Sequence, residues 1–108
     1  MGRAYCMFVD GVCWGLSDKK YSLINPVVNL ITKKNDRLLF TIKKDSLIQI
    51  YSGSPYGYDV ETVRFYEVEE MFKQGILDRK NNTYKTPKEL LVDRESLMYR
   101  AYNSGYRF

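Results

Sequence analysis

The stretch that decides the fold is residues 4–16, AYCMFV-DG-VCWGL, in which two apolar runs flank Asp10-Gly11. Asp-Gly between apolar runs is among the strongest short-range signals for a β-hairpin, because both central residues of a type I′ turn need positive φ. The sequence therefore predicts an N-terminal hairpin made of Ala4–Val9 and Val12–Leu16, and the rest of the chain is interpreted outward from it.

The register of this hairpin predicts two apolar faces. Counting outward from the turn sets Val9 opposite Val12 and Met7 opposite Trp14. The core face then comprises Tyr5, Met7, Val9, Val12, Trp14 and Leu16. The smaller second face comprises Ala4, Cys6, Phe8, Cys13 and Gly15. Because this second face is also apolar, it is either covered as well or offered to a partner.

The two cysteines share the second face but lie diagonally across the strand pair. Diagonal neighbours are roughly 7–8 Å apart between Cα atoms. A disulfide needs about 4.4–6.8 Å. We therefore expect Cys6 and Cys13 to be reduced, buried, small apolar residues.

Further strands are predicted after the hairpin. The residue before a proline is pushed into extended geometry, so we expect Pro26 to open a strand over Val27–Thr32. Arg37–Lys43 and Ser46–Tyr51 are predicted to pair, with apolar residues on both faces that place them centrally in the sheet. Ser52–Asp59 contains glycine and proline and is predicted to be an irregular loop.

Helices are predicted in the second half of the chain. The spacing of apolar residues favours a helix over 61–74 ended by Gly75 as a left-handed cap, although a strand over Val63–Tyr66 stays open. The C-terminal helix has a capping box at Thr86 and Glu89, Pro87 at its first position and Gly105 as its stop. Its apolar stripe comprises Leu90, Leu91, Leu97, Met98, Ala101 and Tyr102.

These elements predict an α+β fold in a single domain spanning 1–108. We expect a small antiparallel sheet of about four or five strands that starts with the hairpin. One or two helices, the last at the C-terminus, are expected to pack over one face of this sheet.

The residue inventory argues against an enzyme. The chain has no histidine, which removes the commonest general base and metal ligand along with His-dependent catalytic triads and zinc sites. Glu67, Glu69 and Glu70 form an acidic cluster that is interpreted as a solvated helical face. A carboxylate–lysine nuclease is the main enzymatic alternative. We expect no catalytic residues, no metal and no cofactor.

Tyrosine is the most informative residue type for function. The chain has ten tyrosines, a residue enriched at protein interfaces. The predicted partner-binding residues are Tyr56, Tyr58, Tyr99, Tyr102 and Tyr106. Packing inside the protein is the alternative for each of them. Few alanines and many lysines, asparagines and isoleucines indicate an AT-rich coding sequence. The first hypothesis is a protein-binding module, which rests on the tyrosine-rich loop, the apolar second face of the hairpin and the absent catalytic inventory. The coding bias makes a phage or mobile element the expected source, with inhibition or modulation of a host enzyme as the expected role.

The second hypothesis is a module that binds nucleic acid or a nucleotide. The formal net charge is +4, and basic residues cluster at predicted turns and in the Tyr/Arg-rich C-terminus. The candidate nucleic-acid contacts are Lys33, Lys34, Arg37, Lys43, Lys44, Arg100 and Arg107. No apolar run reaches the ~18 residues of a membrane span, and no secretion signal precedes the first strand. We therefore expect no membrane contact and a cytoplasmic protein.

Overall fold

A computed structural model describes residues 3–32 and 42–108. Its strands and helices, in chain order, are β1 (Ala4–Val9), β2 (Val12–Ser17), α1 (Lys20–Thr32), β3 (Leu47–Ser54), β4 (Gly57–Arg64), α2 (Phe65–Lys80), α3 (Pro87–Leu90) and α4 (Leu97–Tyr106). The chain divides into two compact units, which we name the sheet unit (Met1–Phe65) and the helical unit (Tyr66–Phe108). The predicted α+β class, with an N-terminal hairpin and a C-terminal helix, is confirmed. The single domain over 1–108 stays a prediction.

The sheet unit is built on a four-stranded antiparallel sheet in the order β2-β1-β3-β4. The predicted hairpin turn is present, with φ of 51° at Asp10 and 81° at Gly11. Asp10 also fastens this turn to the start of β3, because its carboxylate accepts a hydrogen bond from the Leu47 amide at 2.9 Å and its own amide donates to the Leu47 carbonyl at 2.9 Å. These bonds place β1 and β3 side by side at the centre of the sheet.

A β-bulge at Trp14 makes the predicted register of the hairpin wrong beyond Cys13. Phe8 pairs with Cys13 as counted from the turn, but Met7 then pairs with Gly15 rather than with Trp14. A Cβ added to Gly15 would lie 3.1 Å from the Leu23 side chain, so the glycine gives α1 a close approach to β2 at this position. The extra residue in the bulge moves Leu16 from the predicted core face to the opposite face, where it pairs with Cys6.

The core of the sheet unit lies between α1 and one face of the sheet, the inner face. The strands contribute the buried residues Met7, Val9, Ile48, Ile50 and Val63. Helix α1 contributes the buried residues Leu23, Ile24, Val27, Val28 and Leu30.

The predicted strand over Val27–Thr32 is wrong, because this segment is the second half of α1. Pro26 lies within the helix and is exposed, so its ring faces away from the core. The helical spacing of the buried residues, which puts Leu23, Val27 and Leu30 on one side, outweighs the local preference for extended backbone before a proline.

The central position of β3 is confirmed, but its predicted neighbour is wrong. Both edges of β3 are occupied, by β1 and by β4, so it does not form a hairpin with Arg37–Lys43. Most of that predicted strand lies outside the described residues. The predicted irregular loop over Ser52–Asp59 is also wrong: β3 and β4 form a hairpin whose turn is Pro55-Tyr56.

In the helical unit the predicted cap is confirmed and the predicted helix lengths are not. Thr86 and Glu89 form the capping box, but α3 is a single turn that ends at Leu91 with φ 59°. A second cap at Ser96 starts α4. The segment 61–74 combines both alternatives, since β4 runs to Arg64 and α2 begins at Phe65. The described residues thus hold four helices rather than the predicted one or two.

The glycines predicted as helix ends lie inside helices. Gly75 is in α2 and Gly105 is in α4, and neither has positive φ. A Cβ on Gly105 would overlap the Phe72 backbone carbonyl, and one on Gly75 would meet the Tyr106 amide nitrogen at 2.8 Å. These glycines let the backbones of α2 and α4 touch where the two helices cross.

Within the described residues, no helix is long and apolar enough to span a membrane.

Candidate functional site

The face of the sheet opposite the core carries apolar side chains that stay partly or fully exposed. We call it the outer face. The strand register assigns to it Ala4, Cys6, Phe8, Cys13, Leu16, Leu47, Gln49, Tyr51, Gly53, Tyr58, Val60, Thr62 and Arg64. None of these residues is buried. Arg64 is the charged residue among those assigned to the outer face. It lies at the end of β4, and its guanidinium donates a hydrogen bond to the Asp45 carbonyl at 3.1 Å.

Aromatic rings cross the middle of the outer face. The Phe8 ring on β1 meets the Tyr51 ring on β3 edge to face, with centroids 5.7 Å apart. The Tyr51 ring in turn meets the Tyr58 ring on β4 at 5.9 Å. Because each ring is held by a neighbour on the next strand, these side chains keep little rotational freedom to lose on binding.

Exposed aliphatic side chains extend this aromatic row to both edges of the sheet. Leu16 on β2 is 76% exposed and Val60 on β4 is 46% exposed. They belong to one row across the sheet, in which Leu16 pairs with Cys6, Cys6 with Tyr51 and Tyr51 with Val60. An uncharged row of this kind is typical of the centre of a protein–protein interface, where charged residues are depleted and aromatic residues enriched.

The structure brings two of the predicted partner-binding tyrosines to this surface. Tyr56 lies at the tip of the β3–β4 turn and is 98% exposed, and Tyr58 is 71% exposed on the outer face itself. Both were predicted to lie in a loop. Leu16 and Val60 were not predicted to lie on this surface, although the alternation of Tyr58, Val60 and Thr62 with inner-face residues is a signal for a strand.

The other predicted tyrosines lie in the helical unit, where Tyr99 and Tyr102 are buried. The Tyr102 hydroxyl donates to the Asp78 carboxylate at 2.7 Å and accepts from the Lys85 amide at 2.9 Å. The hydroxyls of Tyr84 and Tyr99 hydrogen-bond to each other at 2.6 Å, and Tyr84 also bonds the Asn103 side chain. This is the packing alternative that the sequence left open for Tyr99 and Tyr102.

The electrostatics of this network stabilise a buried carboxylate. Burial opposes charge on Asp78, but hydrogen bonds from Tyr102 and Gln74 and the charge of Lys85 outweigh it and hold the pKa of Asp78 below its usual value. Burial, and the hydrogen bond to Asp78, raise the pKa of Tyr102 to about 12. Each polar atom of this centre has a partner, so we assign it a structural role.

Tyr106 is half-buried at the end of α4. Its ring lies under the Arg79 guanidinium at 5.7 Å, and its carbonyl accepts a hydrogen bond from the same side chain at 3.1 Å. It therefore packs against α2 as well as reaching the surface.

The predicted basic residues that the structure describes are divided between the two units. Lys43 and Lys44 are exposed in the sheet unit, whereas Arg100 and Arg107 are exposed in the helical unit. Lys33, Lys34 and Arg37 lie outside the described residues. In residues 3–32 and 42–108, no group of three or more acidic or cysteine side chains is arranged to hold a metal ion.

The helical unit also has a shallow cleft of about 460 Å³. It is lined by Glu67, Glu70, Met71, Gln74, Lys85, Glu89, Leu90 and Met98. The acidic cluster of the sequence analysis thus borders a surface depression. The Glu89 carboxylate there accepts from the Thr86 amide at 2.9 Å as part of the cap, so it is already engaged.

Comparisons with models of protein families, with curated proteins and with solved structures found no match to this chain.

Proposed function

We propose that this protein is a binding protein without catalytic activity, and that it recognises another protein through the outer face of its sheet unit. The observation that carries the proposal is the uncharged row of Leu16, Cys6, Tyr51 and Val60, in which Leu16 and Val60 are exposed, together with the exposed Tyr58 beside it. A face of this composition loses little on desolvation and gains from burial of its apolar area, which favours contact with a complementary apolar surface.

The aromatic row supplies the anchor of the contact. Interface energy concentrates in a few central residues, and Tyr is one of the residue types enriched among them. Tyr58 is such a residue here, because it is exposed in the free protein and its ring is held against Tyr51. Truncation of an anchor of this kind costs about 2 kcal/mol or more, which is ~30-fold in Kd.

In its more specific form, the proposal is that the protein is cytoplasmic and that its partner is an enzyme inhibited by this contact. Both are expectations from the sequence. Nucleic-acid binding has less support, because Tyr99 and Tyr102 are buried and the described basic residues are divided between the two units.

The test compares matched surface variants in partner binding. Tyr58→Ala and Val60→Ser change the outer face, and Leu91→Ser changes a side chain that is 91% exposed in the helical unit. All three are expected to unfold at the wild-type temperature to within a few degrees, since exposed substitutions cost little stability. A partner captured by the wild type is then purified and its Kd measured for each variant.

We expect Tyr58→Ala to weaken binding by at least ~30-fold, Val60→Ser to weaken it by a smaller factor, and Leu91→Ser to leave it unchanged. Equal affinity for all four proteins would contradict the proposal. Binding to labelled DNA or RNA that falls steeply between about 50 and 300 mM salt would favour the nucleic-acid alternative instead.

A further inference from the structure

β4 is an edge strand, and one row of its backbone groups faces away from the sheet. The order β2-β1-β3-β4 leaves its outer side without a neighbouring strand in the described part of the chain. The Phe65 amide, directly after β4, donates to the Ser46 carbonyl at 2.9 Å, so the backbone groups of Phe65 point toward the β3 side. This direction alternates along an antiparallel strand, so the residues with outward N–H and C=O groups are Tyr58, Val60, Thr62 and Arg64. All four are exposed.

The two edges of the sheet differ in how well they accept a further strand. β2 has six residues and contains the bulge at Trp14, and bulges are one way in which proteins protect an edge from pairing. Its Cys13 is exposed, so the expectation that both cysteines are buried is wrong for this residue. β4 has eight residues without proline or lysine, and it pairs with β3 without a register shift. β4 is therefore the edge better suited to a further strand.

The backbone groups and the outer face select the first features of an occupant. Only an extended backbone satisfies a row of alternating donors and acceptors, which is how peptides bind by strand addition. The side chains of an added strand alternate between the two faces of the sheet. Those on the outer-face side lie beside the exposed Tyr58 and Val60 and extend the apolar row. Apolar residues therefore fit at every second position of the occupant.

The charges on the inner-face side of β4 select the remaining positions. Glu61 is poorly exposed and lies 3.0 Å from the Lys20 ammonium, so its charge is balanced within the sheet unit. The Asp59 carboxylate is 85% exposed and lies 3.6 Å from the Arg3 guanidinium. An exposed pair of this kind contributes little to stability, so Asp59 is able to exchange Arg3 for another cation. Lysine or arginine therefore fits the position of an added strand that faces Asp59.

The same charges disfavour a second copy of this chain as the occupant. Two β4 strands paired antiparallel about their middle set Glu61 opposite Glu61 of the other copy, or Asp59 opposite Glu61. Like charges directly opposite each other destabilise a strand pair. The edge thus favours a different chain with basic residues at these positions.

We propose that the partner of this protein adds an extended segment to the outer edge of β4, with apolar residues on the outer-face side and lysine or arginine facing Asp59. The segment hydrogen-bonds to the outward backbone groups of Tyr58, Val60 and Thr62 and widens the four-stranded sheet by one strand. This inference rests on the proposed function, since it names the kind of partner segment that meets the outer face.

The experiment titrates the full-length protein with a synthetic peptide as long as β4, in which valine alternates with lysine. Nuclear magnetic resonance follows each backbone amide. Three control peptides have glutamate in place of lysine, the same residues in an order without alternation, or N-methyl groups along the edge that pairs. Thr62→Pro removes one outward N–H and fills its place with the proline ring, and Thr62→Val is the matched control that keeps the N–H. Asp59→Lys reverses the selecting charge.

We expect the valine–lysine peptide to shift the amide resonances of Tyr58, Val60 and Thr62 and to slow their hydrogen exchange, which is fast in the free protein. Thr62→Pro should weaken binding by at least ~10-fold, and Thr62→Val should change it by less than about two-fold. The N-methylated and non-alternating peptides should not bind. Asp59→Lys should bind the valine–glutamate peptide more tightly than the valine–lysine peptide.

Several results would overturn the inference. These are unchanged resonances at about 1 mM peptide, slow exchange of the three amides in the free protein, or equal affinity of Thr62→Pro and Thr62→Val. Dimers of the free protein in sedimentation equilibrium that Thr62→Pro dissociates would assign the edge to a second copy instead. If exchange of the β3 amides shows that Thr62→Pro has lost the hairpin, the N-methylated peptide on the wild type decides the question.

The purified partner separates this inference from the proposed function. If Tyr58→Ala weakens binding of the partner and Thr62→Pro does not, the outer face binds without an added strand, and only the inference fails. If Thr62→Pro weakens binding and Tyr58→Ala and Val60→Ser do not, the edge binds the partner and the proposed role of the outer face fails.

Discussion

Removal of the Tyr102 hydroxyl is the sharpest test of how the helical unit is held together. Tyr102 is fully buried, and its hydroxyl joins α4 to α2 and to the segment before α3. It donates to Asp78 and accepts from the Lys85 amide. Tyr102→Phe keeps the ring and its packing and deletes only this atom, so the measured change reports the hydrogen bonds.

The expected loss in the free energy of unfolding follows from the two hydrogen bonds that the Tyr102 hydroxyl makes. A hydrogen bond to a charged group contributes about 1.5–3 kcal/mol, and a buried amide left without its acceptor costs about 1–3 kcal/mol. Because both bonds share one hydroxyl, their losses overlap, and we expect a loss of about 3 kcal/mol. In a domain of this size that corresponds to a fall of at least ~12 °C in Tm.

The assay is equilibrium urea unfolding followed by far-ultraviolet circular dichroism at pH 7. Tyr66→Phe is the matched control, since it deletes the same atom from a side chain that is 38% exposed. We expect the control to change the free energy of unfolding by less than about 0.5 kcal/mol. A change below ~1 kcal/mol in Tyr102→Phe would refute the reasoning.

The pH dependence gives an independent measurement of the same network. The folded-state pKa of Asp78 is lowered, so its contribution is present above the unfolded pKa of ~3.9 and is lost as the pH falls through the folded value. Without the Tyr102 hydroxyl the pKa of Asp78 rises, and acid destabilisation begins at a higher pH.

The pKa of Tyr102 is raised to about 12, so its contribution to stability is present below pH ~10 and is lost as the pH rises toward 12. The phenylalanine variant should lack this alkaline loss.

Two further predictions concern packing and charge. Gly105→Ala should destabilise the protein by about 3 kcal/mol or more, because its Cβ would overlap the Phe72 backbone. Thermal unfolding measures this loss. Gly53→Ala is the control, because the nearest neighbour of its Cβ would be 3.8 Å away. Equal Tm values for both variants would contradict the helix crossing. Lys20→Met should cost about 2–3 kcal/mol, because it removes the cation 3.0 Å from the poorly exposed Glu61 carboxylate. A double-mutant cycle in urea with Glu61→Gln measures the coupling, and a value below ~0.5 kcal/mol would show that the pair is not an interacting unit.

The elements predicted correctly from the sequence are those specified by adjacent residues. Asp10-Gly11 specifies its turn through backbone dihedrals, and Thr86 with Glu89 specifies its cap through bonds within one helical turn. Elements that depend on distant contacts were predicted less well. Nothing near Pro26 in the chain reveals that α1 packs its apolar side on the sheet, and this packing outweighs the local signal at the proline.

The same distinction applies to glycine. Gly11 has the positive φ that its turn requires, so its role follows from its neighbours. Gly75 and Gly105 were interpreted in the same way, as helix ends, but they are needed where two helix backbones touch. The partner in that contact is about thirty residues away in the chain, so a local pattern does not identify it.

The sequence by itself determined the α+β class, the first hairpin, the Thr86 cap and the lack of histidine chemistry. Only the tertiary structure decided which apolar residues are exposed. The bulge at Trp14 places Leu16 on the outer face, and the hydrogen bonds of Asp78 and Lys85 hold Tyr102 inside. The physical reason is that turns and caps depend on dihedrals and hydrogen bonds between near neighbours, whereas exposure depends on which distant segments pack against a side chain.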